Sequence, residues 1–314
     1  MKTTASRLPG ALAFIPALND VICLRAFAKI NLGLRILAKR PDGYHEIRTV
    51  YQTVALHDRL EVSLWSSGSR TDVWCDDPAV PVGRGNLVYR ACELWRRARS
   101  FRGGICVNLE KVIPLGSGLG GASSDAAATL LGLERLTGDR LKPEVRFRLA
   151  AELGSDVPLF LWGGRVLGCG RGEEVYPLAD LPPRQCLVVF PGFAVSTADA
   201  YQAASLRLTK TRKAPSMDNF GAWPQFSLLS WGPAENDFEP VVFARWPELA
   251  RLKRQLIRAG AETASLTGSG SAVYAVFRPS RQPARTPRLI PEGWLSFRTR
   301  TLTRAGYQRG LFKQ

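Results

Sequence analysis

The residues with the most chemical potential lie between Leu109 and Leu131, LEKVIPLGSGLGGASSDAAATLL. Gly116, Gly118, Gly120 and Gly121 lack a Cβ, so the backbone there can turn sharply and let another atom approach. Ser123 and Ser124 are N-cap candidates, and Asp125 suits a first helical turn. Ala126, Ala127, Ala128, Leu130 and Leu131 continue as a helix. A strand over Val107 to Ile113, stopped at Pro114, leads into the loop. A glycine turn that opens a helix N-terminus is an anion cradle, because unpaired N–H groups and the helix dipole favour a phosphate.

Two phosphate-loop patterns nearly fit. Gly116, Gly118 and Gly121 satisfy G-x-G-x-x-G, which by itself is a weak dinucleotide signal. Gly116, Gly121 and Ser123 satisfy most of G-x-x-x-x-G-K-[ST], but Ala122 stands where the lysine belongs. A nucleoside triphosphate held here takes its countercharge from elsewhere in the chain.

Other residue types in the chain could do chemistry. Lys29 and Asn31 share one face of an alternating segment, opposite Ile30 and Leu32. Taken by itself, a lone lysine on a strand reads as part of a solvated face. Pro41-Asp42-Gly43 is a turn signal that presents Tyr44 and His45 at a loop edge. His45 is a ligand candidate or an ordinary surface histidine. In LGSDVPLFLW, Asp156 either caps a short helix with Pro158 in its first turn or serves as a general base beside Leu159, Phe160 and Leu161.

These residues need elements to position them. Ile22 to Ala38 reads as a strand, with a hairpin bend near Asn31–Gly33. Ile47 to Val54 and Asp58 to Leu64 read as two further strands. Asn86 to Arg99 is an amphipathic helix capped by Asn86, with Leu87, Ala91, Leu94 and Trp95 on one stripe. Lys142-Pro143 opens a helix to Leu153, and Val166 to Leu178 forms a hairpin. The tandem prolines near Leu178 to Arg184 mark a boundary between a first domain, 21–180, and a second, 181–314. In the second, Cys186 to Phe190 is a buried strand and Ser196-Thr197 cap a helix carrying Tyr201. Lys210 to Trp223 is polar and irregular. Asn236 to Pro240 opens a helical stretch closed by Gly260. A second glycine-serine loop, Gly268 to Ser271, precedes a buried strand from Ala272 to Phe277. Trp294 to Leu302 is a last strand. Residues 1–20 read as a loosely ordered leader.

Length and composition bound the answer. The chain has 314 residues, 45% hydrophobic and 22% charged, which suits two globular domains. The net charge of +16 favours anionic ligands. No aromatic-interleaved basic run and no DNA-reading motif accompanies it, so nucleic acid is not the expected partner. No apolar run is long enough to span a membrane. The two histidines exclude a multi-histidine metal site by count. Six cysteines without C-x-x-C spacing read as small buried hydrophobes in a reducing compartment.

Three segments then carry a resemblance: AKINLGL at 28–34, PLGSGLGGASSDAA at 114–127 and LTGSGSAVYAVF at 266–277. Their types and order resemble the three motifs of the GHMP kinase superfamily. PDGYHEI at 41–47, LGSDVP ending at Pro158, PGF…STADAY at 191–201 and ENDFE at 235–239 resemble a branch of that superfamily. Its acceptor carries a cytidine diphosphate group on a methylerythritol, in non-mevalonate isoprenoid precursor synthesis. The resemblance covers about residues 22 to 302.

It implies an α+β, two-domain GHMP-kinase-like fold with the active site in the inter-domain cleft. It also implies ATP and Mg²⁺ as cofactors, with no metal ligand assigned, and phosphorylation of the acceptor's 2-hydroxyl. By the resemblance, Lys29 and Asp156 are the catalytic pair. The loop Pro114, Leu115, Gly116, Ser117, Gly118, Leu119, Gly120, Gly121, Ala122, Ser123 and Ser124 wraps the ATP phosphates, with Asn86 and Lys111 as further nucleotide contacts. Tyr44 and Tyr201 sandwich the cytosine, His45 recognises it, Asn31 meets the methylerythritol end, and Gly268, Ser269, Gly270 and Ser271 close the cleft. Ala122 stands where the family usually has glycine and narrows the loop. A cytoplasmic monomer or weak homodimer is expected. A sibling kinase for homoserine, mevalonate or a sugar would not need the stacked base. A dinucleotide-binding module would need an acidic strand end after the loop helix, where Asp139 instead follows Gly138 in a turn.

Overall fold

One long hairpin runs through both halves of the molecule. Strand β1 (Asp20–Lys39) pairs antiparallel with β2 (His45–Trp65) over nearly its whole length. The Pro41-Asp42-Gly43 signal makes the turn, with Gly43 at φ 84° and Tyr44 O accepting from Arg40 N at 2.8 Å. The bend expected near Asn31–Gly33 is a register shift within one continuous strand, not a hairpin. The two strands expected over 47–64 are likewise one, since Ala55, Leu56 and His57 contain no chain breaker and all lie on β2. The computed structural model describes residues 20–65, 68–211, 231–279 and 289–312. The expected leader up to residue 19 and most of the polar stretch 210–223 lie outside them.

The first sheet adds β3 (Thr71–Cys75), β4 (Gly104–Glu110), β5 (Arg165–Cys169) and β6 (Glu174–Pro177), in the order β3-β4-β2-β5-β6 with β1 on β2. Only β3 and β4 are parallel. β4 ends at Glu110, before the expected Ile113, because the amides of Val112 and Ile113 donate to Asp58 Oδ1 rather than to a neighbouring strand. Helices α1 (Leu87–Arg99), α2 (Gly121–Thr137), α3 (Pro143–Leu153) and α4 (Val157–Trp162) pack with this sheet around a core that includes Leu60, Val107, Trp95, Leu130 and Phe160. Asn86 caps α1 as expected, its Oδ1 accepting from Val88 N at 2.7 Å.

The second sheet is antiparallel throughout, in the order β10-β7-β9-β8: β7 (Gln185–Phe190), β8 (Ala261–Leu266), β9 (Val273–Phe277) and β10 (Leu295–Arg300). Helices α5 (Thr197–Thr211), α6 (Glu239–Arg245) and α7 (Pro247–Arg258) belong to this half. Leu249, Leu252 and Leu256 lie at helical spacing and are buried with Ala264, Leu266 and Val273. A third cluster joins the sheets: Ala28, Ile30, Val50 and Val54 of the hairpin against Val188, Tyr274 and Val276. The chain then returns to its first half. Leu302 N donates to Thr53 O at 2.9 Å, and α8 (Arg304–Leu311) packs into the first core, where Tyr307 Oη donates to Phe160 O at 2.6 Å. None of the helices among the described residues is long and apolar enough to cross a membrane. All six cysteines are free thiols, with Cys92 and Cys186 fully buried and pushed well above the usual thiol range by that burial.

Candidate active site

A cavity of about 360 Å³ opens where the hairpin, the glycine loop and the second half meet. Lys29, Asn31, Tyr44, His45, Gly118, Ser123, Asp156, Tyr201, Gly268 and Ser269 all line it. Ten of the candidate residues, scattered over most of the sequence, therefore share one wall.

Lys29 is only 3% exposed, and its ammonium stands 3.4 Å from Asp156 Oδ2. It also donates to Asn31 Oδ1 at 2.8 Å and lies 5.5 Å from the ring centre of Tyr51. Asp156 occupies the position before α4 but makes no capping bond; its φ of −85° and ψ of −10° are already helical. Pro158, with no N–H of its own, reduces the donors the helix start must satisfy. The carboxylate instead faces the cavity, where Oδ1 accepts from Tyr51 Oη at 3.1 Å. Burial, then the charge of Asp156, hold the Tyr51 phenol well above its ordinary range, so Tyr51 stays a donor.

Asn31 is a hub rather than an open contact. Its Oδ1 accepts from Lys29 Nζ, Thr267 Oγ1 and Gly268 N at 2.8, 3.1 and 2.8 Å, and its Nδ2 donates to Thr49 Oγ1 at 2.7 Å. Tyr274 Oη donates to Asn31 O at 2.8 Å. These bonds tie β1 to the loop that follows β8, so the second glycine-serine loop and Lys29 are held in one frame. Gly268 and Ser269 face the cavity. Ser271 lies behind them, fully buried, with its hydroxyl donating to Phe193 O.

The first glycine loop is built for close approach. Gly116, Gly118 and Gly120 have φ of 64°, 80° and 74°. A Cβ on Gly118 would stand 2.2 Å from Thr267 O, and one on Gly120 3.0 Å from Phe160 Cζ. Helix α2 starts at Gly121, capped by Gly120, and not at the serines expected to cap it. The left-handed conformation of Gly120 places the break three residues before Ser123, the first of the serines that the side-chain pattern suggests. The first intrahelical amide bond is Ser124 N to Gly120 O at 2.9 Å, so the amides of Gly121, Ala122 and Ser123 have no intrahelical partner. Ala122 is exposed in this first turn. Ser117 is buried and ties the loop to itself, Oγ donating to Pro114 O at 2.6 Å, while Leu119 O accepts from Lys29 N at 2.9 Å. Leu115 points outward.

Lys111 lies outside the cavity lining. Its ammonium donates to Asp58 Oδ2 at 2.5 Å and Asp125 Oδ2 at 2.8 Å, beneath the start of α2. Burial opposes its charge, but Asp125 and Asp58 outweigh that and hold Lys111 above its ordinary range. Burial and the neighbouring Asp58 push the Asp125 carboxyl well above the usual carboxylate range. Asn86 is also off the lining; its Nδ2 donates to Pro81 O at 2.7 Å.

The aromatic residues pair differently from a tyrosine sandwich. Tyr201 stacks on His45, with centroids 4.8 Å apart and planes at 14°, and meets Phe238 edge-on. Tyr44 is 54% exposed and lies under the Arg171 guanidinium at 4.7 Å. Burial and the nearby Lys39 lower the His45 pKa.

Tyr51, Arg171, Thr197 and Ser155 also line the cavity, and sequence reasoning missed them. Tyr51 was masked by its place in a regular strand. Arg171 had one local signal, since glycines with positive φ flank it in a hairpin turn. Thr49 and Thr267, which fix Asn31, looked like ordinary strand residues.

Known proteins share the sequence and the fold of this chain. Residues 86–164 match the model of the GHMP kinases N terminal domain, and 217–288 that of the GHMP kinases C terminal. A protein of Solibacter usitatus named 4-diphosphocytidyl-2-C-methyl-D-erythritol kinase is 44% identical over 290 residues, covering 91% of this chain and 90% of the relative. One of the same name from Pelotomaculum thermopropionicum is 40% identical over 283 residues, covering 89% and 98%. The crystal structure of a 4-(cytidine 5'-diphospho)-2C-methyl-D-erythritol kinase superposes with a TM-score of 0.73 at 35% identity, covering 89% of this chain and 99% of that one. A homoserine kinase from Cytophaga hutchinsonii shares the fold at 19% identity and a TM-score of 0.65. With relatives of this identity and coverage, and with both halves matched in order, the chain belongs to the 4-diphosphocytidyl-2-C-methyl-D-erythritol kinase family of the GHMP kinases.

Proposed function

We propose that the chain transfers the γ-phosphoryl group of ATP to the 2-hydroxyl of 4-diphosphocytidyl-2-C-methyl-D-erythritol, with Lys29 and Asp156 as its catalytic pair. The observation that carries the reading is the Lys29–Asp156 contact of 3.4 Å on a cavity wall that Gly118 and Ser123 of the glycine loop also line. Phosphoryl transfer asks a protein chiefly for positioning and charge stabilisation. Asp156, turned into the cavity and steadied by Tyr51, accepts the hydroxyl proton as the oxygen attacks. Lys29, dry and fixed by Asn31, stabilises the charge developing on the transferred group. The unpaired amides of Gly121, Ala122 and Ser123 bind phosphate oxygens without a P-loop lysine.

Mg²⁺, when bound, screens the triphosphate charge. Among the described residues no group of three or more His, Cys, Asp or Glu side chains could hold a metal. The ion would therefore rest mainly on phosphate oxygens and water.

The cytidine end belongs beside Tyr44, His45 and Tyr201. His45 and Tyr201 form a stacked platform, and Tyr44 with Arg171 forms an exposed cationic edge on the same cavity. A base entering between Tyr44 and Tyr201 would gain stacking area on both sides. A cytoplasmic location suits the nucleotide and the thiols.

The test is ADP release with ATP, Mg²⁺ and each of four acceptors: diphosphocytidyl-methylerythritol, mevalonate, homoserine and galactose. Turnover with the cytidyl acceptor alone is expected. Turnover with another acceptor would retain the fold and overturn the cytosine roles of Tyr44, His45 and Tyr201.

A further inference from the structure

The ENDFE segment at 235–239 has no part in the phosphoryl transfer described above, yet its residues tie together the walls of the cavity. Its backbone adds to the edge of β1 opposite β2. Leu34 N donates to Glu235 O at 2.8 Å, and Asp237 N donates to Leu34 O at 3.0 Å. The Asp237 carboxylate fixes that alignment, accepting from Ile36 N at 2.9 Å and from Arg35 Nη1 at 2.9 Å. Phe238 is buried, lines the cavity and meets the Tyr201 ring edge-on at 4.8 Å. Glu239 reaches β8, where its Oε1 accepts from Ser265 Oγ at 2.8 Å and Leu266 N at 3.1 Å. Four consecutive side chains therefore have four destinations, and the fourth belongs to Asn236.

Asn236 is buried and does not line the cavity. Its Nδ2 donates to Leu266 O at 2.9 Å and to Gly268 O at 2.8 Å. Its Oδ1 accepts from Phe238 N at 2.9 Å, a side-chain turn that opens α6. One amide thus spends both donors on the second glycine-serine loop and its oxygen on the backbone of Phe238. Each of those ends leads to a working residue. Gly268 N donates to Asn31 Oδ1 at 2.8 Å, the oxygen that also holds Lys29 Nζ at 2.8 Å. A Cβ on Gly268 would stand 3.4 Å from Lys29 Nζ, so this turn lies directly against the ammonium. Phe238, at the other end, backs the Tyr201 ring of the stacked platform.

We propose that Asn236 is a positioning residue that fixes the separation between the two ends of the acceptor site, holding Lys29 through Gly268 and Asn31 and the base platform through Phe238. This rests on the proposed function, which puts the cytosine at Tyr201 and the reacting hydroxyl at Lys29 and Asp156. Such an acceptor is long, and its base and its hydroxyl must be placed at the same time. A rigid joint between the two ends lets binding at the remote base act on the geometry of the reacting centre. The residue type follows from the task. Aspartate would keep the acceptor for Phe238 N and lose both donors to the loop, and leucine would lose all three bonds.

The experiment compares wild type, Asn236→Asp and Asn236→Leu well below their melting temperatures. The readouts are ADP release with diphosphocytidyl-methylerythritol, affinity for cytidine 5′-monophosphate, and backbone hydrogen exchange over residues 266–272. Both variants are expected to lose kcat by about 10- to 100-fold, the cost of a small misplacement at the reacting centre. Cytidine monophosphate should bind Asn236→Asp as it binds wild type. It should bind Asn236→Leu about two- to tenfold more weakly, the equivalent of one edge-on aromatic pair. A wild-type measurement stands apart from the folding of either variant: cytidine monophosphate, which fills only the base end, is expected to slow exchange over 266–272. Wild-type kcat in both variants would overturn the proposal, and so would unchanged exchange over 266–272 in a wild type that binds the nucleotide. A wild type that binds no cytidine monophosphate and turns over a different acceptor would instead overturn the proposed function. Exchange over 266–272 in the variants then decides the role of Asn236 at Lys29, with faster exchange supporting it and unchanged exchange overturning it.

Discussion

The carboxylate of Asp156 stands at the head of a helix yet caps nothing; Lys29 Nζ lies 3.4 Å from its Oδ2 instead. Asp156→Asn keeps the shape and removes proton acceptance. Its expected effect on kcat is a loss of about 10²–10⁴-fold, the usual range for a general base. The ATP KM should change little. Steady-state ADP release checks both, and a variant retaining wild-type kcat would remove Asp156 from the chemistry.

Tyr51 acts through Asp156 and is a positioning residue. Tyr51→Phe removes the 3.1 Å bond to Oδ1 and keeps the ring beside Lys29. A hydrogen bond to a charged group contributes about 1.5–3 kcal/mol. The expected outcome is a roughly tenfold or larger fall in kcat, by the same conversion of about 1.4 kcal/mol per decade, with KM for ATP held. A parallel rise in KM would point to general loosening of the cleft.

The two small residues of the loop should behave oppositely. Gly118→Ala forces a Cβ to within 2.2 Å of Thr267 O at a φ of 80°. ATP affinity and melting temperature should both fall, the backbone strain alone costing about 1–3 kcal/mol. Ala122→Gly, in an exposed helical turn, should leave the ATP KM unchanged and lower stability by about 0.5–1 kcal/mol. Tighter ATP binding by Ala122→Gly would show that the methyl does narrow the cradle.

Asp58, Lys111 and Asp125 set a pH limit. The folded pKa of Lys111 is raised above its ordinary 10.5. Its contribution to stability is therefore complete below pH 10.5 and lost as pH rises through the folded value. Lys111→Met should flatten that alkaline loss in melting curves. Asp58→Ala should be more severe, at about 3–5 kcal/mol, because it breaks a buried ion pair and also strands the amides of Val112 and Ile113.

His45 responds at the acid end. Its folded pKa lies below the ordinary 6.5, because of burial and then Lys39. The neutral ring is the form the fold prefers, so stability is present above pH 6.5 and is lost as pH falls through the folded value. His45→Gln should remove that step from a melting series between pH 5 and 8. A step of unchanged size would assign the acid loss to other groups.

Much of this molecule is legible in local sequence. The glycine loop, the Asn86 cap, the Pro41-Asp42-Gly43 turn and the Leu249, Leu252 and Leu256 stripe depend on neighbours a few residues away, and their types declare them. Boundaries were less legible where a distant side chain decided them. Val112 and Ile113 read as strand, but Asp58 claims their amides. The break between residues 54 and 58 was expected from pattern, but pairing with β1 carries β2 straight through.

The sequence alone determined the chemistry that is available: a phosphate cradle without a P-loop lysine, one lysine and one aspartate in apolar settings, and aromatic residues at loop edges. The tertiary structure decided how these are used. It turned Asp156 from cap to cavity, enclosed the Lys111 ammonium between two carboxylates, made Asn31 a hub, and stacked His45 on Tyr201. The physical reason is that a buried polar group must find hydrogen-bond partners wherever the fold supplies them. Which partner a side chain takes depends on groups brought near by the whole fold, and no local pattern records that choice.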